Sequence, residues 1–209
     1  REAGRAARGY RCDVTDPDSV DALRERVQEE LGPVDILVNN AGAASSAPLT
    51  RTSLEEWKRL FEVNATGSFL CMRAFLPGMV ERGWGRIVNV ASVAGLTGAP
   101  YISAYAASKH AQVGLTRAAA AEVAARGVTV NAVCPGYVDT PMTRESVDRI
   151  QERTGRSAEE ALDALRAQNP QGRLIRPEEV AHAVMTLCAS DAEGINGQAL
   201  VIDGGGHLA

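Results

Sequence analysis

Tyr105 and Lys109 stand four residues apart, the spacing that places two side chains on one face of a helix. A free phenol titrates near ~10 and is a poor proton carrier at neutral pH. An ammonium within ~4–6 Å favours the phenolate and lowers such a pKa by ~1–3 units, so Lys109 would fit Tyr105 for acid–base work. Lysine is scarce in this chain. Only Lys58 and Lys109 accompany twenty arginines, which gives a lysine-dependent motif few chances to arise by accident. Three further sets of residues sit where chemistry concentrates. Asn39-Asn40-Ala41-Gly42, Ser92 and Pro135-Gly136 each close an apolar run of strand length. Taken singly, each is a strand-ending turn. Taken together with Tyr105 and Lys109, they outline a ligand site along the carboxyl edge of a sheet.

The elements that must position these residues follow from hydrophobic spacing. Residues 9–14 read as a short strand, and Thr15-Asp16-Pro17 is a helix start with a capping side chain before proline. Val20, Leu23, Val27 and Leu31 then recur at helical spacing until Gly32-Pro33. The run 34–38 suits a parallel strand covered on both faces. Ser53 and Glu56 form a capping-box pattern ahead of a helix reaching about Arg82, with a break expected near Thr66-Gly67. A strand at 87–90 follows, then a helix capped by Ser103 and running to about Ala125, and then a strand at 128–133. Residues 143–176 are charged, interrupted by glycine and weakly periodic, and read as a mobile insertion. Helices near 157–168 and 177–189 and a strand at 199–202 complete the chain. Strands alternating with helices predict an α/β doubly wound parallel sheet.

With these residues in place, the sequence resembles the short-chain dehydrogenases/reductases. The likeness rests on Asn39-Asn40-Ala41-Gly42, Asn64, Ser92, Tyr105-x-x-x-Lys109, Pro135-Gly136-x-Val138-x-Thr140 and Asp203-Gly204-Gly205, and it runs from about Gly9 to Gly205. It implies a single Rossmann-type domain spanning 1–209, with a substrate lid at about 143–176. It also implies oxidoreduction between a ketone and a secondary alcohol with NAD or NADP; the sequence does not indicate which. In that reading Ser92 binds the substrate carbonyl and Tyr105 transfers the proton. Lys109 lowers the Tyr105 pKa and holds the nicotinamide ribose, and Asn64 positions a relay water. The resemblance implies cofactor contacts from Asp13, Val14, Asn40, Ala41, Gly42, Tyr105, Lys109, Pro135, Gly136, Val138 and Thr140. Asn169-Pro170-x-Gly172-Arg173 and Arg176-Pro177-Glu178-Glu179-Val180 resemble 3-oxoacyl and 3-hydroxyacyl reductases, which would make the substrate an acyl thioester. Lid arginines would then face a phosphopantetheine or carboxylate group, or else solvent.

The pattern also has a gap. The Gly-rich phosphate turn that opens this family has no match in Arg1 to Arg8, and the first two strands of the expected 3-2-1-4-5-6-7 sheet are missing. The strand at 34–38 would then be a bare edge, so the sequence reads as a truncated chain whose dinucleotide binding is impaired. A non-catalytic binding or scaffold protein of the same fold is the alternative.

Composition narrows the partners. A net charge of −4 lacks the basic excess of a nucleic-acid coat. No apolar run approaches the length of a membrane span. Four separated cysteines and three scattered histidines offer no metal spacing, and they suit reduced thiols in a cytoplasmic chain. The helices at 53–82 and 103–126 carry more apolar and small residues than one buried face requires, the second with a run of four alanines at 118–121, and point to a homodimer or homotetramer.

Overall fold

Asp16 opens the first helix by accepting a hydrogen bond from the Asp18 amide at 3.0 Å, with Pro17 in the first turn. That helix, α1 (Pro17–Leu31), is the first element of a computed structural model that describes residues 7–207. Most of the Arg1 to Arg8 stretch discussed above therefore lies outside the described residues.

Four parallel strands form the sheet: β1 (Ile36–Asn39), β2 (Gly85–Val90), β3 (Val128–Pro135) and β4 (Ala199–Ile202), side by side in chain order. Their register pairs Val38 with Val88, Ile87 with Val130, and Val133 with Leu200. The central strands β2 and β3 are buried almost throughout, as their near-continuous apolar runs require. Alternation still divides the core. Ile87, Val128 and Val130 face α3 (Gly67–Arg82) and α4 (Ser103–Val123), where they meet Met72, Met79, Ala119, Ala120 and Val123. Val88 and Val133 face the opposite way, onto Ala183, Leu187 and Cys188 of α7 (Pro177–Cys188). Helix α1 packs against α3, so the architecture is a sheet between two helical layers. Arg86 ties the layers together at the amino end of the sheet. Its buried guanidinium donates to the carbonyls of Gly85, Gly127, Ala189 and Ser190 and lies over the Trp84 ring.

Four expectations are corrected. Residues 9–14 form no strand: no ladder partner runs beside them, and a strand exists only through its neighbour. Ser103 is the first residue of α4, not its cap, and its buried hydroxyl finds no partner. Ser53 caps α2 (Leu54–Phe61) through the Glu56 amide at 3.1 Å, but Glu56 turns to Arg59 instead of closing the box. The expected mobile insertion at 143–176 instead holds two helices, α5 (Pro141–Thr154), which was not expected, and α6 (Ala158–Arg166), the helix expected near 157–168. They enclose a small core of their own from Val147, Ala161 and Leu165 with Ile150, Leu162 and Leu174. Charged side chains cover the outside and mask that periodicity in the sequence.

The outer edge of β1 has no strand beside it among the described residues, and Ile36 and Val38 are 43% and 41% exposed.

Candidate active site

The carboxyl ends of β1, β2 and β3 converge on the first two turns of α4. Two residues beyond β2 lies Ser92, whose Oγ accepts from the Ala94 amide at 3.1 Å and so opens a short 3-10 turn (Val93–Gly95). That turn lies against α4 so closely that a Cβ on Gly95 would come within 2.8 Å of the Lys109 carbonyl oxygen. Ser92 is thereby held beside Tyr105, near enough to favour its phenolate.

Tyr105 and Lys109 both lie on α4, as their spacing predicts, but their coupling differs from expectation. Burial pushes the Tyr105 phenol above its ordinary value, and Ser92 offsets this in part. The Lys109 ammonium is turned instead to the Val90 carbonyl at 2.9 Å and to Gln112 Oε1 at 3.0 Å. Burial leaves Lys109 only 4% exposed and draws its own pKa down to about 8. In this arrangement the lowering of Tyr105 by Lys109 is absent.

Between α2 and α3 the helix widens into a single π turn (Glu62–Thr66), slightly earlier than the expected break at Thr66-Gly67. Such turns recur at functional sites because the extra residue re-aims a side chain. Here the re-aimed side chain is Asn64, fully buried. Its Oδ1 accepts from the Ala43 amide and its Nδ2 donates to the Ala43 carbonyl, both at 2.9 Å, which pins the segment after β1. The same Nδ2 reaches Ser108 Oγ at 2.9 Å. A side chain on Gly42 would meet Asn64 Oδ1 at 3.4 Å and Lys109 Nζ at 3.7 Å, so glycine keeps the approach to the ammonium open.

The remaining predicted contacts divide into two groups. Val14, Asn40 and Ala41 line one cavity of about 270 Å³ between α1, β1 and α3. Asp13 is not among its lining residues; its carboxylate is taken up by the Thr15 amide and hydroxyl at 2.9 and 2.7 Å. Pro135 and Gly136 close β3 against Ile202, Val138 bridges to Ile175, and Thr140 is the residue before α5. There the Val138 carbonyl accepts from Thr143 Oγ1 and the Thr140 carbonyl accepts from the Thr143 and Arg144 amides. Among the described residues no group of three His, Cys, Asp or Glu could hold a metal, and no helix is long and apolar enough to cross a membrane.

Around the site, the polar residues Asn89, Thr116, Gln112 and Ser68 escaped the sequence reading. Asn39 Nδ2 donates to Asn89 Oδ1 at 2.7 Å, and Asn89 Nδ2 donates to Thr116 Oγ1 at 2.9 Å. Gln112 and Ser68 complete a second buried chain. The available signal was a polar side chain in an otherwise apolar stripe, at Asn89 in β2 and at Gln112 in α4. Five of the seven arginines in residues 143–176 also find acidic partners. Arg144, Arg149, Arg166, Arg173 and Arg176 pair with Asp139, Glu145, Asp163 and Glu179, and Arg173 grips Glu179 with two bonds of 2.7 and 2.8 Å.

A family model described as enoyl-(acyl carrier protein) reductase matches residues 1–207. A putative ketoacyl reductase of Streptomyces coelicolor is 44% identical over 98% of this chain and 79% of its own length. A 3-oxoacyl-[acyl-carrier-protein] reductase of Vibrio cholerae is 41% identical over 98% of this chain and 80% of its own. Among solved structures, an actinorhodin polyketide ketoreductase variant with NADPH superposes with a TM-score of 0.94 at 43% identity, covering 98% of this chain and 79% of the other.

Proposed function

The chain belongs to the short-chain dehydrogenase/reductase family of NAD(P)-dependent oxidoreductases, and from that premise we propose that it interconverts a 3-oxoacyl and a 3-hydroxyacyl thioester through Ser92, Tyr105 and Lys109. The observation that supports the proposal is the juxtaposition of Ser92 with Tyr105 and, one turn further along α4, of Lys109 with Gly42 and Asn64. The bound dinucleotide supplies or accepts a hydride at the substrate carbon. The chain's own residues act on the oxygen. Ser92 hydrogen-bonds it and stabilises the negative charge that develops there. Tyr105 donates its proton to that oxygen in reduction and withdraws it in oxidation. With its pKa raised, Tyr105 keeps its proton at pH 7, the form that donation requires.

The site fits a dinucleotide at two points. The absence of a side chain at Gly42 leaves Lys109 approachable, so its ammonium would hold the ribose hydroxyls of NAD or NADP. Val14, Asn40 and Ala41 share one wall and would flank the adenosine side. Pro135, Gly136, Val138 and Thr140 would border the nicotinamide end, and Asn64 would position the water that links Lys109 to solvent. Because five lid arginines are already paired within the chain, they are poor candidates for gripping a phosphopantetheine arm. The acyl assignment therefore rests on the ketoacyl reductases to which the chain is similar.

Tyr105→Phe tests the assignment, since it removes one proton-carrying oxygen and little volume. Reduction of a 3-oxoacyl thioester, followed by NADPH and NADH consumption, should fall by ~10²–10⁴-fold with cofactor affinity nearly intact. A near wild-type rate in that variant would remove Tyr105 from the chemistry.

A further inference from the structure

Gln112 is fully buried, on a face of α4 otherwise occupied by Val113, Thr116, Ala119, Ala120 and Val123. An amide in such a place costs free energy unless every polar atom is matched, and a hydrocarbon of similar volume would pack there without that demand. Its partners assign each hydrogen bond a single direction. The Lys109 ammonium can only donate, so the amide oxygen must face it, at 3.0 Å. The amide nitrogen then donates to Ser68 Oγ at 2.7 Å, and the Ser68 hydroxyl passes its own hydrogen to the Asn64 carbonyl at 3.1 Å. The chain thus begins at the ammonium and ends on the π turn whose side chain already pins Ala43.

We propose that Gln112 is a positioning residue for Lys109: it fixes the ammonium between the Val90 carbonyl and its own amide oxygen, and couples it through Ser68 to Asn64. The inference deepens the oxidoreductase reading and rests on it for its functional meaning. Lys109 needs such support because burial works against its charge. The titratable group acting on it from the packed elements is Cys134 of β3, whose thiol is pushed up to about 11 and is neutral at pH 7. Tyr105 lies one turn back on the same helix and is likewise neutral there. No anion therefore holds the ammonium; the Val90 carbonyl and the Gln112 amide do.

The chain's two lysines make a direct measurement possible. Lysine labelled with ¹³C at Cε gives two NMR signals in the full chain, and the exposed Lys58 serves as an internal control. Gln112→Leu should lower the Lys109 titration midpoint by ~1 unit or more, because one of its two acceptors is gone. Gln112→Glu should raise it. Ser68→Ala, which cuts the chain without emptying the volume of Gln112, should lower it by a smaller amount. An unmoved Lys109 midpoint in Gln112→Leu overturns the proposal and leaves Gln112 a packing residue. If Gln112→Leu does not fold, an unmoved midpoint in Ser68→Ala overturns it equally. The titration needs neither substrate nor cofactor, so a chain inactive on 3-oxoacyl thioesters would count against the proposed reaction and leave this result standing.

Discussion

Lys109 is where the site's chemistry and the fold's stability pull in opposite directions. Its pKa falls from 10.5 to about 8 on burial. Between those two values the unfolded chain holds a proton that the folded chain has released. By linkage, the contribution of this group to folding stability therefore rises as the pH climbs from about 8 to 10.5, and at neutral pH it is destabilising. The full swing is roughly 3 to 4 kcal/mol, from ~1.4 kcal/mol per unit. Lys109→Met removes the titration, although it leaves the Val90 carbonyl and the Gln112 amide without their donor. The stability of wild type minus that of Lys109→Met should accordingly increase across this pH window and then level off, read from urea unfolding at a series of pH values. Taking the difference cancels Cys71, whose thiol is pushed up to about 11 and whose contribution falls over part of the same range; Cys134 interacts with Lys109 itself and cancels only in part. A difference that stays flat with pH would mean that Lys109 is solvated in the folded chain. Asn64 was marked by the family resemblance alone, but that Tyr105 and Lys109 share a helix and that Ser92 follows a buried strand was legible from spacing and strand ends. The direction in which the ammonium points was not, since it depends on Gln112 and Val90, which no spacing rule joins to Lys109.

At the scale of elements, each misreading has a definite cause. The π turn at Glu62–Thr66 inserts one residue into a helix, and apolar spacing at 3.6 residues per turn shows at most a vague break near it. Helix α5 buries only a narrow stripe, so charge hides its period, whereas α6, opened by a complete capping box of Ser157 and Glu160, was read near 157–168. Residues 9–14 have the composition of a strand but lack a partner, and composition carries no information about partners. The readings that succeeded, β2 and β3 above all, concern segments buried on both faces, where hydrophobic pattern is the whole determinant. The joint between β2 and α4 is the element on which the site depends most. A Cβ at Gly95 would press to 2.8 Å from the Lys109 carbonyl oxygen and 3.1 Å from Val113 Cγ2, and the first of these is helix backbone that cannot swing aside. Gly95→Ala should therefore cost ~1–3 kcal/mol by overpacking and, by lifting Ser92 away from Tyr105, reduce turnover more than it reduces cofactor binding. Thermal unfolding together with kcat and KM would read both effects. A variant as stable and active as wild type would show that the turn floats free of α4.

At the scale of the whole molecule, the alanine run in α4 separates into two uses. Ala119 and Ala120 are buried against β3, while Ala118 and Ala121 are exposed, in line with the exposed Gly114 one turn earlier. Alanine has the best helix propensity, which accounts for its presence but not for an outward stripe kept free of long side chains. Nearby on α2 and α3, Trp57 and Phe69 are 38% and 44% exposed, and Trp57 stacks on Phe61 at 4.8 Å between ring centroids. A small-residue stripe beside exposed aromatics suits close approach of the same helices from a second copy, and we propose a two-fold dimer through this face, the commonest closed arrangement. The bare edge of β1, with Ile36 and Val38 exposed, offers a competing route to association by strand pairing, which has no closed symmetry and yields mixed sizes. Light scattering at micromolar concentration separates the two routes. The helix-paired dimer predicts one species of twice the chain mass, converted to monomer by Ala118→Glu, because two buried, unpaired carboxylates would face each other across the axis. Association through β1 predicts a broad distribution that Ala118→Glu leaves unchanged and that a lysine at Val38, Val38→Lys, disperses. A monodisperse wild-type monomer would refute the dimer and leave the outward face of α4 an ordinary solvated surface.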